Sequence, residues 1–331
     1  MKKKVIIIGS NSFAGSNFID YLLTNNFSVV GISRSKENKK INSCYKNNKN
    51  ISNFKFLKLD LNKDCEKISK FIAFWKPNYI LNFAAQGMVN ESWKKPIDWY
   101  QTNIISQTRL FEYIKNFSFI KRNINFSTPE VFGNNKKKLK ENVDFNPSTP
   151  YAISRAAFDN HLILNSKYTK FPIIITRTAN IYGPHQQLYR VVPKAIISFL
   201  YNKVFYLDGS GKSKRSFIYM DDVSEALLKI MLYRNPKNSY HISSKKFITI
   251  ESLVKKIASL MKIKSKKLIQ KKLKDRLGKD YIYMLDPNLI KKDLNWTSKT
   301  SLDQGLKKTI LWIKKDYNKY QQKDMKYHHL K

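Results

Sequence analysis

The chain has 331 residues, of which 42% are hydrophobic, so it is long enough for one large α/β domain with a smaller lobe. Its two cysteines, Cys44 and Cys65, form no CxxC pair, which argues against a disulfide framework or a zinc site and predicts a reducing, cytoplasmic location with no metal. The formal net charge of +38 is extreme, but the lysines are spread along the whole chain, which argues against specific nucleic-acid binding.

The N-terminal apolar run, residues 5–8, is too short for the hydrophobic region of a secretion signal. No later segment approaches the roughly 20 apolar residues that a membrane span needs. We therefore expect no membrane partner.

Short apolar runs alternate with helical patterns through the first half of the chain. Six runs predict strands, at residues 4–10 (KVIIIGS), 28–35, 53–61, 79–85, 121–128 and 172–184. The stretches between them have the apolar spacing of helices, at residues 14–26, 65–77, 98–117 and 149–166. This repetition predicts an α/β fold with a Rossmann-type, doubly wound parallel sheet.

After residue 184 the pattern changes to short strands, helices and basic loops, which predicts a smaller mixed α/β lobe. We assign residues 1–184 mainly to the Rossmann domain and residues 185–317 mainly to this substrate lobe, with chain crossings between them. Residues 318–331 lack periodicity and are expected to form a disordered tail.

The turn after the first strand (GSNSFAG) predicts a phosphate-binding loop. A tight turn there brings backbone N–H groups close to a pyrophosphate, and the helix N-terminus favours negative charge. We expect the cofactor to contact Gly9, Asn11, Ser12, Phe13 and Gly15. Ser12 replaces an expected middle glycine, so a close approach is less secure there.

The second predicted strand ends in Ser33 and Arg34, without the Asp or Glu that usually binds the adenosine ribose of NAD. Ser33 and Arg34 suit a 2′-phosphate, which favours NADP over NAD, although Arg34 could be only a surface cation. Asp60 and Leu61 follow the third strand, where a carboxylate can accept from adenine.

Two further predicted contacts lie at the end of the fourth strand. Ala84 and Ala85 are small enough there to let the backbone pass close to the cofactor.

Tyr151 and Arg155 lie four residues apart, on one face of a predicted helix. A nearby cation favours the phenolate of a tyrosine, whose ordinary pKa is about 10, and so helps it act as a base. Taken alone, two residues at this spacing are more often a surface pair.

The sequence resembles the extended short-chain dehydrogenase/reductase family, and within it the nucleotide-sugar epimerases and dehydratases. The resemblance rests on nine motifs in order: GSNSFAG, LDLNKD, NFAAQ, TNIISQTRLFE, STPEVFG, YAISR, RTANIYGP, KRSFIYMDDV and DRLGKDYIYMLD. Among these, STPEVFG (residues 127–133) is most similar to the motif of the dTDP-glucose and GDP-mannose 4,6-dehydratases.

The resemblance implies an NAD(P)-dependent nucleotide-sugar 4,6-dehydratase. Tyr151 would take the proton from the sugar O4 while a hydride leaves C4, with Thr128 bonding near O4 and Arg155 beside the nicotinamide ribose. Glu130 would then remove the C5 proton, water would leave from C6, and the hydride would return to C6. The product would be an NDP-4-keto-6-deoxyhexose. A homodimer paired through the helices near residues 96–117 and 151–166 is also implied.

Two residues depart from the family pattern. Arg155 replaces the usual lysine and keeps its positive charge, but its planar fork has a different geometry. Pro129 replaces the aspartic acid that, in the dTDP-glucose enzymes, would protonate the departing hydroxyl, and proline has no proton to give. Glu130, a water or another group would have to supply that proton.

The substrate side of the site is implied by the same resemblance. It assigns to the nucleotide-diphosphate sugar Gln86, Asn180, Arg190, Lys194, Arg215 and Arg276. Arginine is well shaped for a diphosphate, although a single arginine in so basic a chain is more often a solvated surface residue.

Two other functions remain open. A 4-epimerase, a reductase or a decarboxylase of nucleotide sugars would share the 4-keto intermediate but would not need the missing acid. A protein of another class, non-catalytic and cofactor-binding or RNA-associated, is suggested by Arg155, Pro129 and the net charge.

Overall fold

A computed structural model describes residues 2–38, 43–264, 268–271, 277–315, 317–320, 325–327 and 329. The strands are β1 (Lys4–Ile8), β2 (Ser28–Ser33), β3 (Phe54–Lys58), β4 (Tyr79–Asn82), β5 (Arg122–Ser127), β6 (Lys138–Leu139), β7 (Ile173–Thr178), β8 (Asn180–Tyr182), β9 (Phe205–Leu207), β10 (Lys214–Tyr219), β11 (Ser239–Ile242), β12 (Phe247–Thr249), β13 (Ile269–Lys271) and β14 (Met284–Leu285).

The α-helices are α1 (Phe13–Thr24), α2 (Cys65–Trp75), α3 (Val89–Ser92), α4 (Pro96–Tyr100), α5 (Gln107–Ile114), α6 (Pro150–Tyr168), α7 (Val191–Leu200), α8 (Met220–Leu232), α9 (Ile250–Leu260), α10 (Asn288–Leu294) and α11 (Leu302–Lys315). A π-helical segment, Gln101–Ser106, joins α4 to α5, so that the predicted helix over residues 98–117 has a widened turn at its centre.

The main sheet has seven parallel strands in the order β3-β2-β1-β4-β5-β7-β11. The order reverses between β1 and β4, which is the switch point where ligands bind in open α/β sheets. The predicted α/β fold with a Rossmann-type parallel sheet is confirmed.

Side chains of β1 alternate between two buried cores, one on each face of the sheet. Val5 and Ile7 pack into the core formed with α1 and α8, whereas Ile6 and Ile8 pack into the core formed with α2, α5 and α6. A strand buried on both faces has no polar side, which explains the unbroken apolar run at residues 5–8.

The sheet differs from the sequence prediction in two places. The run at residues 172–184 contains two strands, because the chain leaves the main sheet after β7, and β8 pairs instead with β10 in the smaller lobe. The seventh strand, β11, comes from the region assigned to the lobe. Four residues carry too little periodicity to reveal that pairing.

The smaller lobe packs α7, α9 and α11 around its own apolar core, beside a three-stranded sheet in the order β12-β10-β8. Among the described residues, no helix is both long and apolar enough to span a membrane. The boundaries at residues 184 and 317 stay predictions.

Part of the predicted tail, residues 318–331, lies within the described chain and contacts the body. The Tyr327 ring lies 5.3 Å from the Tyr189 ring, and His329 Nε2 lies 2.7 Å from Asp98 Oδ2 while its ring stacks on Trp99. These contacts bring Tyr327 to the rim of the cleft described below. The disorder of the tail stays a prediction.

Candidate functional site

A cleft of about 780 Å³ lies between the carboxyl ends of the main-sheet strands and the smaller lobe. This volume lies in the range of small-molecule and cofactor sites. The cleft is lined by the phosphate loop, the loops after β2, β3, β4 and β5, the start of α6, and lobe residues from β8 to residue 283. Nearly all the predicted site residues therefore face one space.

Gly9 begins the predicted phosphate loop in a conformation that requires glycine. Its φ is +82°, and a Cβ built on it would lie 2.5 Å from the backbone nitrogen of Ala84. Its own N–H donates to the carbonyl of Ile32 at 2.8 Å. The loop is thereby held against the ends of both neighbouring strands, where a dinucleotide would lie.

Ser12 and Gly15 hold the start of α1. The Ser12 hydroxyl accepts a hydrogen bond from the Gly15 N–H at 3.0 Å and caps the helix. A Cβ on Gly15 would lie 2.5 Å from the Gly9 carbonyl oxygen. The serine at the expected glycine position therefore stabilises the start of α1. Phe13, the next residue, lines the cleft.

Asn11 ties the phosphate loop to the loop after β2. Its N–H donates to Ser33 Oγ at 3.0 Å, and its side-chain amide donates to Ser35 Oγ and to the Lys36 carbonyl, both at 2.9 Å. Arg34 also lines the cleft.

Glu37, a few residues past β2, is engaged elsewhere. It accepts from Tyr45 Oη at 2.9 Å and pairs with Lys46 at 3.3 Å. The strand end therefore presents a hydroxyl and a guanidinium to the cleft, as the sequence predicts.

One wall of the cleft is formed by the ends of β3 and β4. Asp60 and Leu61 line it, and Asp60 Oδ1 accepts from the Asn62 N–H at 2.9 Å. Ala84 and Ala85 line it from β4, and the Gln107 side chain donates to the Ala84 carbonyl at 2.7 Å. This bond fixes the backbone where it passes the phosphate loop.

Asn103, buried in the π-helical segment, joins two parts of the site and was missed by sequence reasoning. Its Oδ1 accepts from the Gln86 N–H at 2.8 Å, and its Nδ2 donates to the Gln86 carbonyl at 3.0 Å and to Ser154 Oγ at 2.9 Å. Ser154 in turn donates to the Tyr151 carbonyl. Asn103 thus connects the loop after β4 to the helix that carries Tyr151. Asn103 belongs to the motif TNIISQTRLFE, and the match of this motif to the family is the signal that could have identified it.

Tyr151 stands at the start of α6, buried in the cleft and hydrogen-bonded to Thr128 at the end of β5. Burial raises the pKa of the phenol, and the neighbouring Glu130 carboxyl raises it further, while the cations Arg155 and Arg190 lower it. Arg155 thus acts in the direction that the sequence predicts, while burial and Glu130 act against it.

Arg155 lies one turn after Tyr151 and is 2% exposed, so it is not a surface residue. Its Nη2 donates to the Phe126 carbonyl at 2.6 Å, while its Nε has no hydrogen-bond partner among the described residues. A buried donor without a partner is costly, and a ribose hydroxyl in the cleft would satisfy it. Together with the cradle at Gly9, this free donor fits a dinucleotide cofactor.

Thr128, Pro129 and Glu130 form the start of a 3₁₀ turn over Pro129–Phe132. Pro129 occupies the first position of this turn, where no N–H is needed, and Thr128 is its cap. The proline therefore shapes the loop.

Burial raises the pKa of Glu130, and Asp280 also raises it, whereas Arg215 and a hydrogen bond from Tyr283 lower it. The net effect is to raise the pKa of Glu130 above the ordinary value of a glutamate, with burial as the largest cause.

A buried ion pair supports this loop from behind. Arg177 on β7 pairs with Asp159 on α6 at 3.0 Å, with both side chains fully buried. Asp159 also accepts from Ser127 Oγ at 2.8 Å, next to Thr128. The pair joins α6, which carries Tyr151, to β7, and the Ser127 bond joins α6 to the end of β5, directly before Thr128. Neither Asp159 nor Arg177 stood out in the sequence.

The predicted substrate residues occupy different settings. Gln86, Asn180, Arg190 and Lys194 line the cleft. Arg215 lines it too, but its guanidinium donates to the carbonyls of Lys214, Asp280 and Tyr281. Its charge therefore acts from a fixed position beside Glu130. Arg276 lies outside the described residues. The binding roles of all six stay predictions.

Comparisons with known proteins find similar sequences and structures over most of the chain. A family model described as GDP-mannose 4,6 dehydratase matches residues 6–309. The human dTDP-D-glucose 4,6-dehydratase is 28% identical over 330 residues, covering 96% of this chain and 92% of its own.

Two solved structures are similar over nearly their whole length. The dTDP-glucose 4,6-dehydratase of Bacillus anthracis, in complex with NAD, has a TM-score of 0.85 and 26% identity, covering 96% of this chain and 98% of its own. The UDP-glucose 4-epimerase of Thermotoga maritima, with UDP-glucose, has a TM-score of 0.84 and 26% identity, covering 95% and 99%. With the family model matching most of its length, the chain belongs to the GDP-mannose 4,6 dehydratase family of NAD-dependent epimerases and dehydratases.

Proposed function

We propose that the protein is a nucleotide-sugar 4,6-dehydratase that forms an NDP-4-keto-6-deoxyhexose. The observation that carries the proposal is the meeting of Tyr151, Thr128 and Glu130 in one cleft with the Gly9 loop. A phenol bonded to a hydroxyl serves alkoxide chemistry, and a carboxyl with a raised pKa serves proton transfer at carbon. The names of the relatives and of the Bacillus anthracis structure support it.

When bound, oxidised NAD or NADP supplies an acceptor that takes the C4 hydride and returns it at C6, and a positive charge that favours the Tyr151 phenolate. Tyr151 takes the proton from the sugar O4, and Thr128 holds that oxygen in place. Arg155 orients the cofactor ribose through its free Nε and stabilises the phenolate by its charge.

The 4-keto group makes the C5 proton acidic, and Glu130 removes it. The C6 hydroxyl then leaves as water. When a hydride is returned to C6, the resulting enolate takes a proton at C5 from solvent, and Tyr151 releases to solvent the proton that it took from O4. Because Pro129 has no proton to give, we assign both the removal of the C5 proton and the protonation of the leaving hydroxyl to Glu130, whose raised pKa suits both roles.

Two basic residues of the cleft suit the nucleotide diphosphate. Arg190 and Lys194 bring positive charge to the start of α7, and both line the cleft beside the predicted sugar site. Arginine can bind a diphosphate through two parallel hydrogen bonds, so Arg190 is the leading candidate.

We further propose that NADP binds more tightly than NAD, since Ser33 and Arg34 take the place of the usual carboxylate and Glu37 is engaged with Tyr45 and Lys46. Replacing Arg34 with Ala should weaken NADP binding by about 10- to 100-fold, the value of a charge-assisted bond. NAD binding, measured on the same protein by calorimetry, serves as the control. Equal losses for both cofactors, or tighter binding of NAD by the wild type, would refute the preference.

A homodimer is proposed from the outer faces of two helices. Ile153, Leu164 and Tyr168 form an exposed apolar stripe on α6, and Ile97 and Ile105 are exposed on the helix that begins at Pro96. Exposed apolar residues grouped in this way indicate a contact surface.

Sedimentation should give a mass twice the 39.0 kDa of one chain, and Leu164→Asp should give the single-chain mass. Leu311→Asp, at a residue of similar exposure on α11, is the control and should leave the mass unchanged. A single-chain mass for the wild type at micromolar concentration contradicts the dimer.

We also propose a cytoplasmic location. Cys44 and Cys65 are both free thiols, which suits a reducing compartment. Fractionation of cells expressing the protein tests this, and recovery outside the cytoplasm contradicts it.

A 4-epimerase is the second candidate, favoured by one observation. Pro129 removes the acid that elimination uses, whereas inversion at C4 does not require it. The Thermotoga maritima epimerase shows that a similar fold carries that activity.

The purified protein, incubated with dTDP-, CDP-, UDP- and GDP-hexoses, separates the two candidates by mass spectrometry. Loss of one water supports the dehydratase, and an isomer of unchanged mass supports the epimerase.

A further inference from the structure

The hydroxyl of Tyr283 lies between Glu130 and Asn180. Its oxygen is 3.3 Å from Glu130 Oε1 and 3.2 Å from Asn180 Oδ1. The residue is 4% exposed and lines the cleft. It comes from the segment just before β14, which sequence reasoning did not connect with the catalytic loop.

Three contacts hold this hydroxyl in position. The segment continues into β14, which pairs with β6, and the Tyr283 side chain packs in a small core with Val131 and Phe132, the two residues after Glu130. The Arg215 guanidinium lies 4.3 Å above its ring. The distance to Glu130 is therefore set by both chain segments at once.

The Tyr283 hydroxyl has one proton and two acceptors. When Glu130 is ionised, the proton is best donated to its carboxylate, because hydrogen bonds to charged groups are stronger. When Glu130 carries a proton, the Tyr283 proton can turn to Asn180 Oδ1 instead. Two arrangements of one hydroxyl thus match the two protonation states of one carboxyl.

The groups around Glu130 act on its pKa in opposite directions. Arg215 favours the ionised carboxyl, whereas Asp280 and burial favour the protonated one, and Tyr151 lies within the same field. Pro129 offers no second acid. We propose that Tyr283, together with Asn180, is a positioning residue that lets Glu130 serve in turn as the base at C5 and the acid at C6. This inference rests on the proposed function.

The elimination of water balances without any other group. Glu130 takes the C5 proton while Tyr283 turns its own proton towards Asn180. The C6–O bond then breaks, and the proton on Glu130 leaves with the hydroxyl as water. Tyr283 then donates to the carboxylate again, so it gives up no proton in the cycle.

The test uses Tyr283→Phe, with Tyr281→Phe as the matched control because Tyr281 lies two residues away and is 48% exposed. The protonation of the Glu130 carboxyl group is followed by carbon NMR on protein labelled at its glutamate carboxyl carbons. The Glu130 signal is identified as the one that is missing from the spectrum of Glu130→Gln. Loss of the Tyr283 bond should raise the Glu130 midpoint by about one unit, since that bond stabilises the carboxylate. Tyr281→Phe should leave the midpoint unchanged.

The same variants are then assayed for water loss. Tyr283→Phe should lower kcat by at least about 10-fold with little change in KM, and the acid limb of the pH profile should move to higher pH. It should also exchange the C5 proton with deuterated water more often per water lost than the wild type does.

An unchanged midpoint, or a raised midpoint with unchanged water loss, overturns the inference while leaving the dehydratase in place. A wild type that releases no water from any hexose nucleotide overturns the proposed function and the inference with it.

Discussion

Replacing Tyr151 with Phe is expected to lower the rate of C4 oxidation by about 10²- to 10⁴-fold, the usual contribution of a general base. Tyr151 is buried in the cleft and hydrogen-bonded to Thr128, and the positive charges of Arg155 and Arg190 lower its pKa. Phenylalanine keeps the ring and removes only the group that takes the O4 proton. Single-turnover measurement of nicotinamide reduction reports this step directly.

Tyr240→Phe is the matched control, because it also removes a buried hydroxyl, one that bonds to Asp293 away from the cleft. It should keep the oxidation rate per folded molecule. Cofactor affinity should change little in Tyr151→Phe, because the Gly9 loop is untouched. Oxidation by Tyr151→Phe within tenfold of the wild type would remove this residue from the base role.

Replacing Glu130 with Gln is expected to separate the two halves of the reaction. C4 oxidation should survive, because Tyr151 and Thr128 remain, while loss of water should fall by about 10²- to 10⁴-fold. The amide cannot take the C5 proton. Because loss of the carboxylate also lowers the Tyr151 pKa, oxidation should extend to lower pH in this variant.

Rapid quenching and mass spectrometry of the sugar nucleotide measure both halves, since the 4-keto hexose and the dehydrated product differ by one water. Glu66→Gln, an exposed glutamate paired with Lys70, is the control and should behave as the wild type. Normal water loss by Glu130→Gln contradicts the assignment of both proton transfers to this residue.

Local signals in the sequence predicted the parallel sheet, the phosphate loop and the Tyr151–Arg155 pair. In each case residues that are close in sequence carry the information. A strand followed by Gly9 and a helix defines the turn between them, and two residues four apart on a helix lie on the same face. The lack of a carboxylate at the end of β2 could also be read from the sequence, because the end of the predicted strand fixes where that residue would stand.

The rest of the site depends on contacts between distant segments. Tyr283 lies beside Glu130 in the segment that continues into the pairing of β14 with β6. Asn103 bonds to Gln86 from the π-helical segment. The sign of the Tyr151 pKa shift was likewise hidden, because burial and the position of Glu130 are properties of the folded chain.

A substrate carrying deuterium at C4 tests the central claim most directly. With the hexose nucleotide that turns over, the wild type should release one water and deliver the deuterium to C6 of the same molecule, because one bound cofactor takes and returns the hydride. Mass spectrometry and NMR of the product locate the label. Deuterium that stays at C4 in a product of unchanged mass and inverted configuration at C4 would contradict the dehydratase and establish an epimerase.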